Sequence, residues 1–175
     1  MCKTPRIDEL RHAVRDYGRT AVETETKLRR LGGAIIGALR TYLHPEKTLV
    51  FGAPPHGDWE PETDYRDAAF STFYNGPIRL GPVEMGVSVR IDNLGDDGAV
   101  WLRLLMTLRK VGDTLRVGID DLGTVCLPLA FEDKLEPVCD MVFNVVRKLF
   151  TEDVEHDRRG DYGGGAIGFL TPKAG

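Results

Sequence analysis

The segment 54–67, PPHGDWEPETDYRD, concentrates the residue types that most often do chemistry in proteins. Imidazole and carboxylate groups act as general acids and bases, and carboxylates also bind metal ions. Six such side chains occur here: His56, Asp58, Glu60, Glu62, Asp64 and Asp67. Their spacing matches no motif with a defined mechanism, and a site would need further ligands from elsewhere. We therefore predict a solvated acidic loop and assign the chain no catalytic residue, metal site or cofactor.

Alternating apolar and polar residues between 83 and 130 predict strands in which every second side chain points away from the core. This outward face carries side chains that could bind an anionic group: Arg90, Trp101, Arg103, Arg109 and Arg116. A turn between Val111 and Thr114 would place Arg109 opposite Arg116, and like charges directly opposite are unfavourable. Either these arginines splay into water, or an anion or an acidic partner segment lies between them. By a similar count Arg90 lies near Trp101, in cation–π geometry.

The string GGGAIG, residues 163–168, matches the glycine spacing of a dinucleotide-binding turn. That turn functions only between a strand and a helix, because the helix N-terminus holds the pyrophosphate. Here the preceding residues, EHDRRGDY, are charged, and only FLTPKAG follows. We predict a glycine hinge and no phosphate site. The hinge carries an apolar tip, Ile167, Phe169 and Leu170, which either folds back onto the domain or docks into a partner.

Two other patterns fall short of the motifs they partly match. DNLGDDG, residues 92–98, has Leu94 where a calcium loop has an acidic residue and is followed by Arg103 where that loop ends in glutamate. We predict a hairpin turn there. The cysteines, Cys2, Cys126 and Cys139, form no CxxC pair, which favours free thiols in a reducing compartment over a disulfide framework or a zinc site.

The N-terminal segment, residues 1–45, is predicted to be one long helix or two consecutive helices. Its apolar residues recur at heptad spacing, which places them on one stripe. The predicted interface residues of this stripe are Ile7, Leu10, Val14, Tyr17, Leu28, Leu31 and Ile35. At 1.5 Å per residue, an unbroken helix of about 36 residues would exceed 50 Å and overhang a small sheet. Either it breaks at Gly18 or at Gly32-Gly33, or part of it meets another chain.

Residues 47–130 are predicted to form an antiparallel sheet. The period-2 strands after residue 83 are separated by turn-forming residues, which is typical of a meander. Shorter strands are expected at 47–53 and 68–74. Residues 133–150 repeat apolar side chains at helical spacing and are predicted to pack on the apolar face of the sheet. The predicted fold is therefore α+β, with a long N-terminal helix or two helices, an antiparallel meander and a C-terminal helix.

Length and composition predict one domain over residues 1–150 and a flexible glycine-rich tail over 151–175. The 175 residues are 42% hydrophobic and carry a net charge of −4, which is not the balance of a typical nucleic-acid-binding protein. Basic residues concentrate at the N-terminal end, where residues 1–48 hold ten Lys or Arg against six Asp or Glu. No apolar run approaches the ~18 residues that a membrane span needs. With no apolar signal segment at the N-terminus, we expect a cytoplasmic protein without a membrane partner.

These features favour a non-catalytic protein that binds another macromolecule, most of all a protein, as an adaptor, chaperone, inhibitor or regulatory subunit, and that could form a homodimer. The helix stripe and the arginine face are its predicted contact surfaces. A competing hypothesis is a small enzyme or binding protein that uses the His56 loop on an anionic or phosphorylated small molecule. A third is nucleic-acid binding through the basic residues of the N-terminal helix, which are Arg11, Arg15, Arg19, Lys27, Arg29 and Arg30.

Overall fold

A computed structural model of the protein describes residues 6–44, 46–47, 49–73, 78–92, 99–159 and 168–170. Two α-helices flank an antiparallel sheet, and the fold is α+β as predicted. The elements in chain order are α1 (Arg6–Leu43), β1 (Val50–Ala53), two 3-10 helices (Arg66–Ala69 and Ser71–Phe73), β2 (Val83–Asp92), β3 (Ala99–Val111), β4 (Thr114–Ile119), β5 (Gly123–Pro128), α2 (Glu136–Arg159) and β6 (Gly168–Leu170).

The helix α1 is unbroken and runs through Gly18 and the Gly32-Gly33 pair. At 1.5 Å per residue its 38 residues extend about 57 Å. Gly32 is required by close packing, because a methyl group there would lie 2.8 Å from the sulfur of Met85 and would also meet the ring of Phe70. Around Gly33 there is open space.

The sheet is a meander in the order β1-β2-β3-β4-β5, with every neighbouring pair antiparallel. The turn from β3 to β4 places Gly112 at a φ of 57°, which suits a two-residue hairpin turn with glycine at its first central position. The strand predicted at 47–53 begins only at Val50. The turn predicted at residues 92–98 lies, except for Asp92, outside the described residues.

The strand predicted at 68–74 is wrong over its described part, 68–73. The chain forms the two 3-10 helices there, and only Phe70 pairs with the sheet, through a single bridge to Met85. The apolar residues of this segment lie in a turn at the sheet edge. Phe70 packs into the core there, and its exposed fraction is 5%. The hydroxyl of Ser71 accepts a hydrogen bond of 3.0 Å from the Glu84 N–H, which fixes the turn against β2.

Both helices cover the same apolar face of the sheet. From α1, Leu28, Leu31 and Ile35 are fully buried, and α2 contributes Val138 and Val142 to the same core. The C-terminal helix therefore packs on the apolar sheet face, as its periodicity predicted. The opposite face of the sheet carries the predicted arginines.

The C-terminal part departs from the expected tail. Helix α2 continues past residue 150 to Arg159, and β6 pairs with the first residues of β3. In this pairing Phe169 lies opposite Val100 and Leu170 opposite Ala99. The described part of the apolar tip therefore folds back onto the sheet of its own domain. Ile167 and most of GGGAIG lie outside the described residues.

Candidate functional site

The acidic loop, residues 54–67, lies largely across the outward face of the sheet. His56 Nε2 is 2.7 Å from Glu84 Oε2 on β2, and Arg103 on β3 donates a hydrogen bond of 2.8 Å to a carbonyl of the loop. The loop can approach this closely because Gly86 has no side chain. A methyl group at Gly86 would lie 2.7 Å from a loop carbonyl oxygen. The loop is thus a cover over part of the predicted arginine face.

Arg90 and Trp101 are cross-strand neighbours, as their spacing predicted. The guanidinium carbon of Arg90 lies 5.5 Å from the indole centroid. Its NH1 is 2.7 Å from Glu62 of the acidic loop, and its Nε is 3.0 Å from Asp92. Trp101 is only 8% exposed and its ring centroid is 5.9 Å from that of Phe51. The charge of Arg90 is therefore balanced within the chain, and the indole is covered.

Arg103 holds the acidic loop through its backbone. Its NH1 donates hydrogen bonds to the carbonyls of Pro54 and Gly57, at 3.3 and 2.8 Å. Its guanidinium carbon lies 5.5 Å from the ring centroid of Trp59. Because these contacts occupy the guanidinium and half-bury the side chain, Arg103 contributes to loop order rather than to a free cationic surface.

Other acidic residues of the loop pair with separate arginines of α1. Asp64 is 3.0 Å from Arg40, and Asp67 is 2.8 Å from Arg29. These ion pairs direct the carboxylates apart. Within the described ranges, no group of three or more His, Cys, Asp and Glu side chains could hold a metal ion.

The pKa of Asp64 is lowered although partial burial by itself raises it. Hydrogen bonds from Arg40 and from the backbone N–H groups of Arg66 and Gly52 outweigh the burial. Arg40 also donates a hydrogen bond of 2.8 Å to the carbonyl of Val50. This pair therefore joins α1, β1 and the acidic loop.

Arg109 and Arg116 lie directly opposite each other across β3 and β4, as the alternation predicted. Both side chains are exposed, and neither forms an ion pair with a residue that the structure describes. The five predicted face residues are thus divided. Arg90, Trp101 and Arg103 are engaged by the chain itself, whereas Arg109 and Arg116 are a pair of exposed cations on β3 and β4 with no ion-pair partner among the described residues.

The predicted helix stripe is divided in the same way. Leu28, Leu31 and Ile35 are buried against the sheet, whereas the first half of the stripe is exposed. The exposed fractions there are 53% for Ile7, 62% for Leu10, 70% for Val14 and 49% for Tyr17. The Tyr17 hydroxyl accepts a hydrogen bond of 3.2 Å from the Leu80 N–H. Residues 6–16 lie N-terminal to this contact, and we call them the overhang.

The six basic residues of α1 that were predicted to contact nucleic acid are mostly paired within the chain. Four of these six form ion pairs, which are Arg11–Asp8, Arg19–Asp16, Arg29–Asp67 and Arg30–Glu132. Arg15 and Lys27 form none with the described residues. The nucleic-acid hypothesis therefore has few unneutralised cations on α1 to contact phosphates.

A cleft that the sequence did not predict opens between the end of α1, the end of β2 and the middle of α2. Its volume is about 490 Å³. Its apolar lining includes Leu43, Leu49, Val89, Ile91, Val146 and Phe150. The α2 residues do repeat at helical spacing, but that pattern predicts burial against the sheet and gives no sign of a gap. We call this feature the apolar cleft.

The two described cysteines differ in environment. Cys126 is exposed and Cys139 is buried. Burial, together with the neighbouring Asp140 and Glu136, raises the pKa of the Cys139 thiol to about 11.

No helix in the described ranges is long and apolar enough to cross a membrane.

The geometry defines an α+β protein in which two helices cover one face of an antiparallel meander and an acidic loop covers part of the other. No family model, curated protein or solved structure matches the chain.

Proposed function

We propose that the chain is a non-catalytic protein that binds another protein through the overhang and that acts as an adaptor, chaperone, inhibitor or regulatory subunit. The observation that carries this proposal is the exposure of Ile7, Leu10 and Val14 on the same stripe that is buried further along α1. Contiguous apolar side chains on a surface are typical of an interaction site. A helix with apolar residues at this spacing suits the groove of a partner or a partner helix.

The charges beside the stripe indicate the chemistry of the partner. Arg6 and Arg11 occupy the two heptad positions that flank the apolar seam. In a parallel pair of two copies, Arg6 of one helix would face Arg11 of the other, and these like charges repel, in part offset by the Arg11–Asp8 ion pair. An apolar helix with acidic flanks avoids that repulsion. We therefore favour a different protein of this kind over a second copy of the chain.

The test compares Leu10→Glu combined with Val14→Glu against Val22→Glu, all in the full-length chain. Val22 is a matched control because it is apolar, 48% exposed and on the same helix, but outside the stripe. Cross-linking capture from the native host, followed by mass spectrometry, should yield a protein that the double variant loses and that Val22→Glu retains. Capture of the same set by both variants contradicts the proposal.

Light scattering distinguishes a different protein from a second copy of the chain as the partner of the overhang. A monomeric mass at high concentration, with a partner lost only in the double variant, supports a different protein. If the wild type is a dimer and the double variant is a monomer, the partner of the overhang is a second copy of the chain.

The exposed arginine pair is a second contact surface in this proposal. Replacement of Arg109 and Arg116 by Ser removes both cations, and the captured partner should be lost or weakened if an acidic segment lies between them. Unchanged capture by the double Ser variant removes this pair from the interface.

A further inference from the structure

The apolar cleft has walls from four parts of the chain. Leu43 and Leu49 come from the end of α1 and the segment before β1, Val89 and Ile91 from β2, and Val146 from α2. Val89 is 2% exposed, so this β2 residue belongs to the core at the base of the cleft. The Arg90 N–H donates a hydrogen bond of 2.7 Å to the Leu49 carbonyl, which holds two of these walls together.

The volume of about 490 Å³ falls within the roughly 300–1,000 Å³ of small-molecule sites. Such sites are mostly apolar with a few polar groups that fix orientation. The lining of this cleft follows that pattern, because its polar residues are few and lie among apolar walls from α1, β2 and α2.

Four charged residues, Lys47, Arg90, Asp92 and Arg147, are among the described residues that line the cleft. The guanidinium of Arg90 lies on the opposite face of the sheet, where it pairs with Glu62. Asp92 lies 3.4 Å from Lys47 and 3.0 Å from Arg90. Arg147 is exposed and has no ion pair with a described residue. The cleft therefore combines an apolar interior with one cation, Arg147, that has no ion-pair partner among the described residues.

We infer that the apolar cleft binds a single-chain amphiphile with an anionic headgroup, such as a medium-chain carboxylate. The chain would lie between Val89 and Val146, and Arg147 would pair with the headgroup. A carboxylate suits a guanidinium because the two groups form paired, charge-assisted hydrogen bonds. This site is separate from the overhang, and its test does not depend on the proposed protein partner.

The binding test uses the full-length chain and three probes with the same tail: decanoate, decanol and decyltrimethylammonium. Displacement of a dansyl-labelled undecanoate reports the affinity of each probe below its aggregation concentration. We expect saturable binding of one decanoate per chain, weaker binding of decanol and the weakest binding of the cation. Absence of decanoate binding, or equal binding of all three probes, overturns the inference.

Two variants locate the site. Arg147→Glu should weaken decanoate binding by about tenfold because it replaces a charge-assisted contact with repulsion, and it should leave decanol binding nearly unchanged. Arg158→Glu is the matched control, since Arg158 is an exposed arginine of α2 outside the cleft. Equal effects of both charge reversals on decanoate contradict a headgroup contact at Arg147.

Val146→Trp should fill the cleft and abolish the binding of both decanoate and decanol. A thermal melt shows whether this variant is folded, and the Arg147 comparison remains decisive if it is not. Retention of decanoate binding by folded Val146→Trp places the ligand elsewhere and overturns the assignment.

Discussion

Tyr42 donates a hydrogen bond of 2.6 Å to a carboxylate oxygen of Asp140, which joins the last turn of α1 to α2. The Tyr42 ring also meets Phe143 edge-on, with ring centroids 6.4 Å apart. Leu43 and Phe143, which both line the apolar cleft, are thus held near this contact. The hydrogen bond to Asp140 raises the pKa of Tyr42, because ionisation would remove the donor and place two negative charges together.

The Tyr42 contact should stabilise the fold at neutral pH and lose its effect in alkali. A pKa raised by folding contributes stability that is fully present below the unfolded value of about 10 and is lost as the pH rises through the folded value. The melting temperature of wild type should therefore be higher than that of Tyr42→Phe at pH 8. This difference in melting temperature should narrow above about pH 10. Melting temperatures across this range check the prediction, and a difference that is constant with pH counts against it.

Adjacent glycines in α1 should respond oppositely to alanine. Gly32→Ala forces a methyl group against Met85 and Phe70 and should destabilise the fold by about 1–3 kcal/mol, as overpacking does. Gly33→Ala meets open space and should stabilise the helix by up to about 1 kcal/mol, because glycine is a poor helix former. Urea unfolding of both variants measures the difference. Equal effects would contradict the close packing at Gly32.

Reversal of one charge in the exposed arginine pair should strengthen the β3–β4 hairpin. Arg116→Glu converts a repulsion with Arg109 into a cross-strand ion pair, and such pairs contribute roughly 0.2–1 kcal/mol. The gain in the free energy of unfolding should shrink at high salt because exposed charges are screened. Arg109→Glu should give a similar gain, whereas the double Glu variant should restore the repulsion. A double-mutant cycle in urea unfolding tests this set, and additive effects would show that the side chains do not interact.

Period-2 alternation, counted from the turn that joins each pair of strands, was sufficient to predict these pairings. It predicted Arg109 opposite Arg116 and Arg90 beside Trp101, and both are confirmed by the register. The reason is local, since a short turn fixes the register and every later pair follows from it. The heptad spacing likewise predicted α1.

The cover and the cleft could not be predicted because they depend on contacts between distant segments. Nothing in PPHGDWEPETDYRD specifies that its carbonyls meet Arg103, which lies 46 residues beyond Gly57. The apolar cleft arises where two helices on one face leave a gap, and periodicity reports only which side of each helix is apolar. The same limit explains the 68–73 segment, whose apolar residues fit either a strand or a turn at the sheet edge.

Asp64 should contribute stability at neutral pH that acid removes. Its pKa is lowered in the folded chain, so the contribution is present above the unfolded value of about 3.9 and is lost as the pH falls through the folded value. The melting temperature of Asp64→Asn should therefore be lower than that of wild type at pH 7. This difference in melting temperature should shrink as the pH falls below about 4. Asp58→Asn is the control, since Asp58 forms no ion pair with the described residues. A similar pH-dependent loss in that variant would assign the effect to general loop charge.

The acidic loop should detach when the glycine beneath it gains a side chain. Gly86→Ala places a methyl group 2.7 Å from the Pro54 carbonyl oxygen and also against that of Ala53, so the backbone of the loop must move away. Gly118→Ala is the matched control, because its nearest described atom is the Thr124 hydroxyl at an ordinary 3.6 Å.

We expect faster amide exchange and faster proteolysis within residues 54–65 in Gly86→Ala than in either wild type or Gly118→Ala. The release follows from the geometry of Arg103, whose two hydrogen bonds to loop carbonyls cannot persist once the carbonyls shift. Arg103→Lys should give a similar but smaller increase in exchange, because lysine cannot reproduce the planar donor geometry of arginine. Unchanged exchange in Gly86→Ala would show that the loop does not depend on close approach to β2.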